Sequence, residues 1–156
     1  MRRQLTFDLP VRPALGRGDF FVSPANALAI AQIDAGTWPA GKLLLIGPEG
    51  AGKSHLAQVW ATETGAEVLA ASDLPDVPSD ALAVVVEDAD RIAGDLVAET
   101  RLFHLHNHVL ARGGRLLITA SAPPRCWGLA LPDLASRMEA TAQAAVLPPD
   151  DALLSA

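Results

Sequence analysis

The stretch "KLLLIGPEGAGKSHLAQVW" constrains the fold of this chain more than any other. The unbroken apolar run "KLLLIG" suits a strand buried on both faces of a parallel sheet. The loop after it fits G-x-x-x-x-G-K-[ST] as Gly47, four residues, Gly52, Lys53 and Ser54. "KSHLAQVWATETG" then reads as a helix ending at Gly65. The chemistry accounts for the spacing. Glycines let the backbone curl so that successive N–H groups point inward at phosphate oxygens, and the helix N-terminus adds its partial positive charge. Lys53 would reach the β- and γ-phosphates, and the Ser54 hydroxyl would bind Mg²⁺. Gly47, Gly50, Ala51, Gly52, Lys53 and Ser54 are therefore the candidate phosphate cradle, with His55 near the nucleotide at the start of the helix. The alternative, a glycine turn that merely joins strand to helix, stands against the full motif in its strand–loop–helix context.

Such a loop needs acidic groups at the end of a neighbouring strand. "AVVVEDAD" supplies Glu87 and Asp88 directly after an apolar run. One carboxylate would hold Mg²⁺ and the next would orient the attacking water. Most such sites read Asp first. Here Glu87 comes first, one methylene longer, which alters the Mg²⁺ geometry and argues against fast hydrolysis. Ordinary exposed acids at a strand end are the competing reading. "LLITAS" forms a later strand ending in Thr119 and Ser121, and a polar side chain there is placed to sit between the carboxylates and the γ-phosphate; Ser121 is taken as that residue.

The rest of the chain alternates in the same way. "SPANALAIAQID" reads as a helix with Ser23 as N-cap and Pro24 in the first turn, where its missing N–H is harmless. "AEVLAA", "ALAVVV" and "RLLITA" read as strands, "DLVAETRLFHLHNHVLARGG" as a long helix closed by glycines, "DLASRMEATA" as a helix and "AAVLPP" as a final short strand. Strands alternating with helices predict a three-layer α/β fold, a parallel sheet with helices on both faces. With 156 residues, one domain is expected. No apolar run approaches the roughly 20 residues that span a bilayer, so no membrane association is expected. A net charge of −6 argues against a large nucleic-acid surface and so for little direct DNA binding. The single Cys126 excludes an internal disulfide, and the lack of a signal sequence points to a cytoplasmic location.

His104, His106 and His108 stand in "FHLHNH", the first and last at i, i+4 spacing on one helix face. With no acidic or sulfur partner nearby in sequence, a solvated or interface face is the expectation rather than a metal site. Trp38, Trp60 and Trp127 are expected to be packing or loop anchors. At the N-terminus, "MRRQLTFDLP" alternates apolar and polar residues and reads as a short extended arm with one apolar side. By pattern alone, it fits packing onto its own domain as well as capture by another protein.

Several of these segments together resemble one family. "FFVSPAN", "GPEGAGKSHL", "RIAGD" after the acidic pair, "RLLITASAPPR", "LPDLASRM" and "VLPPDD" occur in the order found in DnaA-type AAA+ proteins. The chain is most similar to their Hda-like branch of regulators of bacterial replication initiation. The resemblance implies a P-loop NTPase fold of the AAA+ base type over residues 20–150, an arm over 1–19, and a hinge starting at 151–156 with the small lid domain absent. It implies ADP or ATP with Mg²⁺ as ligands. It assigns Phe21, Val22 and Asn26 to the adenine pocket and makes Arg137 an arginine finger offered in trans to a neighbour's nucleotide. It makes "QLTFDL" a peptide for the DNA polymerase sliding clamp, with Gln4, Leu5, Phe7 and Leu9 as its anchors, and names DnaA as partner, with a possible homo-oligomer. The implied role is negative regulation of initiation, with weak intrinsic ATPase activity. A stand-alone small P-loop ATPase or kinase and a DnaC-like helicase loader are the other expectations.

Overall fold

A computed structural model describes residues 26–147. The residues expected to form a clamp peptide, Gln4, Leu5, Phe7 and Leu9, those expected in an adenine pocket, Phe21 and Val22, and the expected hinge at 151–156 lie outside the described residues.

Among the described residues, five strands form one sheet: β1 (Lys42–Ile46), β2 (Glu67–Ala70), β3 (Ala83–Glu87), β4 (Arg115–Ala120) and β5 (Ala142–Ala145). They lie in the order β2-β3-β4-β1-β5, and every pairing is parallel. The described α-helices that cover them are α1 (Ala27–Asp34), α2 (Lys53–Thr64), α3 (Leu96–Ala111) and α4 (Pro132–Glu139). The expected three-layer α/β class is thus the observed one.

The apolar runs are explained by period two acting on both faces at once. Leu43, Leu45, Val85 and Leu117 point to one side, into a cluster with Ile30 and Ile33 of α1 and Leu56 and Trp60 of α2. Leu44, Val84, Val86, Leu116 and Ile118 point to the other, against Leu102, Leu105 and Val109 of α3 and Leu134 and Met138 of α4. Neither face of the central strands meets water, so neither has room for the polar alternation of a one-sided sheet. The edge strands β2 and β5 are only four residues each, which limits unpaired edge.

Element ends follow local chemistry. The Asp95 carboxylate accepts the Ala98 N–H and caps α3. Gly65 ends α2 in the left-handed conformation at φ 73°. Several boundaries differ from the sequence reading. The last strand is Ala142–Ala145 rather than "AAVLPP", because pairing with Leu43–Ile46 sets its register. The first described helix is Ala27–Asp34, with Asn26 before it; the expected cap at Ser23 and Pro24 lies outside the described residues.

Three tryptophans anchor loops and packing. The Trp38 Nε1–H donates to the Gln32 carbonyl at 2.9 Å, and its ring lies 5.2 Å from that of Trp60. The Trp127 Nε1–H donates to the Ala122 carbonyl at 2.6 Å.

Candidate nucleotide site

A cavity of about 390 Å³ opens at the C-terminal edge of the sheet, lined by Glu49, Gly50, Gly52, Lys53, Ser54, Glu87, Asp88 and Thr119. In open α/β sheets this edge is where ligands bind. The strand order puts the three contributing elements side by side. β1 delivers the glycine loop, β3 delivers the acidic pair, and β4 lies between them.

The loop is shaped by its glycines in two different ways. Gly50 and Gly52 have φ of 82° and 100°, a region that side chains rarely adopt. Gly47 is instead a matter of space, since a Cβ there would lie 2.1 Å from the Val146 carbonyl oxygen. Its N–H donates to the Ala120 carbonyl at 3.2 Å, tying the loop to the end of β4. Ala51 is fully buried in the core cluster beneath the loop. The Lys53 ammonium donates to the Gly47 carbonyl at 2.5 Å and to the Pro48 carbonyl at 3.3 Å, so it is held across the loop it belongs to.

The Ser54 hydroxyl donates to Glu87 Oε1 at 2.6 Å, and the Gln58 amide donates to Glu87 Oε2 at 3.2 Å. Both Glu87 oxygens are therefore fixed from α2. Gln58 is absent from the sequence reading, although its i+4 spacing from Ser54 places it on the same helix face. Asp88 adopts a left-handed conformation at φ 61°, costly for a non-glycine residue and concentrated at functional sites. Its N–H donates to Thr119 Oγ1 at 3.0 Å.

Thr119 is 1% exposed and lines the cavity, whereas Ser121 is exposed beyond the strand and hydrogen-bonds Asp90. Of these two strand-end residues, Thr119 is the one among the described lining residues. β4 ends at Ala120, so Thr119 is still within the sheet, opposite Leu45 just below the loop, and Ser121 lies past the pairing. Across the mouth, the Arg91 guanidinium pairs with Glu49 at 2.5 Å. Glu49, Glu87 and Asp88 set three carboxylates against the one Lys53 ammonium, so the lining is net acidic. Hard oxygens from Ser54 and Glu87 meeting at hydrogen-bond distance fit a divalent cation such as Mg²⁺.

The other expected site residues are dispersed. Asn26 is fully buried before α1, and His55 is half-buried in the first turn of α2; neither is among the described lining residues. Arg137 is exposed in the last turn of α4. Its carbonyl accepts the Lys42 ammonium at 2.8 Å, at the start of β1. The phosphate loop follows the other end of that strand, roughly 13 Å away by strand rise. Arg137 therefore belongs to a different face from this chain's own cavity.

The histidines separate as well. His108 contacts Asp80 at 2.9 Å, His104 is exposed beside Arg101, and His106 is buried against Lys42. His106, between that i, i+4 pair in sequence, points instead into the α3–β1 contact. Among the described residues, no three His, Cys, Asp or Glu side chains are grouped to hold a metal ion. No described helix is long and apolar enough to cross a membrane.

The strand order, the glycine loop and the acidic strand end define a P-loop NTPase-type α/β fold. Solved structures with this fold include replication initiation proteins. A DNA replication initiation factor superposes with a TM-score of 0.78 at 16% identity, over 88% of this chain and 51% of its own. AMPPCP-bound DnaA from Aquifex aeolicus gives 0.76 at 16% identity, over 86% and 50%. Domain III of the Thermotoga maritima replication initiation protein DnaA gives 0.74 at 20% identity, over 92% and 71%. The chain thus has the DnaA-type AAA+ fold and spans about half the length of the first two proteins. No protein-family profile matches it.

Proposed function

We propose that this chain is a nucleotide-binding regulator of bacterial replication initiation, of the Hda type, acting on DnaA. The observation that carries the reading is the separation of two positive groups. Lys53 lies in the chain's own phosphate loop, while Arg137 stands at the opposite end of β1, exposed. An arginine that cannot serve its own nucleotide is suited to serve a neighbour's. The AMPPCP bound to the Aquifex DnaA supports a nucleoside di- or triphosphate, ADP or ATP, in the cavity.

In this reading the loop N–H groups and Lys53 hold the phosphates. Ser54 and Glu87 hold Mg²⁺, which neutralises phosphate charge when bound. Asp88, fixed through Thr119, faces the water side. The arm residues Gln4, Leu5, Phe7 and Leu9 dock on the DNA-loaded sliding clamp. Arg137 reaches the ATP of DnaA and stabilises the charge that develops during phosphoryl transfer, an effect worth about 10³–10⁵ in rate for such a residue. Hydrolysis by DnaA then switches initiation off. Intrinsic turnover is weak, because Glu87 is tied to Ser54 and Gln58.

The test combines a clamp pull-down with DnaA hydrolysis assays. Gln4→Ala with Leu5→Ala should abolish clamp capture, and Arg137→Ala should keep capture but lose stimulation. Capture of the replicative helicase instead of the clamp would favour a helicase loader. Phosphoryl transfer to a small molecule would favour a kinase.

A further inference from the structure

Lys42 is 4% exposed at the head of an apolar strand. Its ammonium lies 2.9 Å from His106 Nε2 and donates to the Arg137 carbonyl at 2.8 Å. An ammonium only donates, so Nε2 accepts and the ring is neutral; Nδ1–H then donates to the Asn107 amide oxygen at 2.8 Å. Among the described residues, no carboxylate bonds Lys42, His106 or the Arg137 guanidinium. A charge buried without a counter-charge costs several kcal/mol, and an apolar residue of similar volume would commonly be more stable there. Burial and the neighbouring Arg137 guanidinium both pull the Lys42 pKa down, so the two cations are close enough to repel.

We propose that Lys42 is a positioning residue for Arg137. Buttressed by His106, its ammonium clamps the Arg137 carbonyl and so fixes the last turn of α4. Its unbalanced charge turns the guanidinium outward, away from the chain's own surface and toward a partner's anionic group. The proposal rests on the reading of Arg137 as a group presented in trans. It also accounts for the lysine in "KLLLI", where an apolar residue would pack as well.

The test uses the full chain with Lys42→Met, Arg137→Ala and the double variant. Lys42→Met should retain nucleotide binding and melt no lower than the parent, since it removes an uncompensated buried charge. Stimulation of DnaA hydrolysis should fall about tenfold in maximal rate, as misplacement of a reacting group does, with little change in the half-saturating concentration. The double variant should match Arg137→Ala. A Lys42→Met protein that stimulates at the parental rate while Arg137→Ala does not overturns the positioning role and leaves the finger reading intact. Full stimulation by Arg137→Ala overturns both. A readout without any partner is the crystal structure of Lys42→Met. A shifted last turn of α4, or a guanidinium folded against His106, supports the proposal. An unchanged Arg137 overturns it. Should Lys42→Met fail to fold, His106→Leu removes the buttress at similar volume; it should lower the maximal rate in the same direction, and a parental rate overturns the proposal.

Discussion

Ser54 and Glu87 meet across the phosphate cavity, hydroxyl to carboxylate at 2.6 Å, and thereby join the first turn of α2 to the end of β3. The extra methylene of Glu87, relative to an aspartate, is what carries the carboxylate to α2, where Gln58 takes its second oxygen. If this pair is the Mg²⁺ site, Glu87→Ala should leave nucleotide affinity in EDTA unchanged and remove most of the gain on adding Mg²⁺. Titration with a fluorescent ADP analogue in both conditions checks it, and an undiminished Mg²⁺ effect would place the metal elsewhere.

Gly47 is required by contact rather than by conformation. In Gly47→Ala the new methyl would press on the Val146 carbonyl, whose own N–H is bonded to Ile46 at 2.8 Å. Overpacking of this kind costs about 1–3 kcal/mol. The expected outcome is a lower denaturation midpoint together with weaker nucleotide binding, because the same shift moves the loop. Parental values of both would show that β5 yields freely.

Glu99 is fully buried in α3 and accepts N–H groups from Gly94, Ala130 and Leu131. Burial pushes its pKa up, but the three backbone donors outweigh that and hold it below the ordinary glutamate value of 4.5. The carboxylate pins the segment after the acidic pair to the start of α4. Glu99→Gln keeps the volume but turns an amide toward N–H donors, and hydrogen bonds to a charged acceptor are worth about 1.5–3 kcal/mol each. A loss of at least about 2 kcal/mol in urea unfolding is expected. A change below about 0.5 kcal/mol would mean the loops hold without it.

His106 should make stability fall in mild acid. Burial lowers its pKa below the ordinary 6.5, the Asn107 hydrogen bond opposes this, and Lys42 and Arg137 add to the lowering. The unfolded chain then binds more protons than the folded one as pH drops through 6.5, so the contribution is complete above that value and is lost below it. Protonation would also set a second cation against Lys42 at 2.9 Å. Unfolding free energy measured from about pH 7.5 to about pH 5 should decline in the parent and decline less in His106→Gln. Equal slopes would assign the acid sensitivity to other groups.

Much of this molecule was legible in its order of residues. The phosphate loop, the acidic strand end and the alternation of apolar runs with helices are local signals, because glycine conformation, helix capping and two-sided burial each act within a few residues. Thr119 and Ser121 could not be told apart in that way. Both are short polar residues near a strand end, and alternation puts positions two apart on the same face; only the end of β4 at Ala120 separates Thr119, which meets Asp88, from Ser121, which lies beyond it. Gln58 carried an i+4 signal that becomes meaningful only with Glu87 opposite. Nothing in the spacing of His104, His106 and His108 says that His106 is buried against Lys42, 64 positions away.

By itself, the sequence determined a P-loop on a parallel sheet, since few backbones can satisfy Gly47, Gly52, Lys53 and Ser54 between a buried strand and a helix. The tertiary structure decided the order β2-β3-β4-β1-β5 and what that order brings together. Lys42 meets His106 and Arg137 across 64 and 95 positions of chain. Such pairings are set by long-range strand register and by burial on two faces at once, and no window of a few residues contains them.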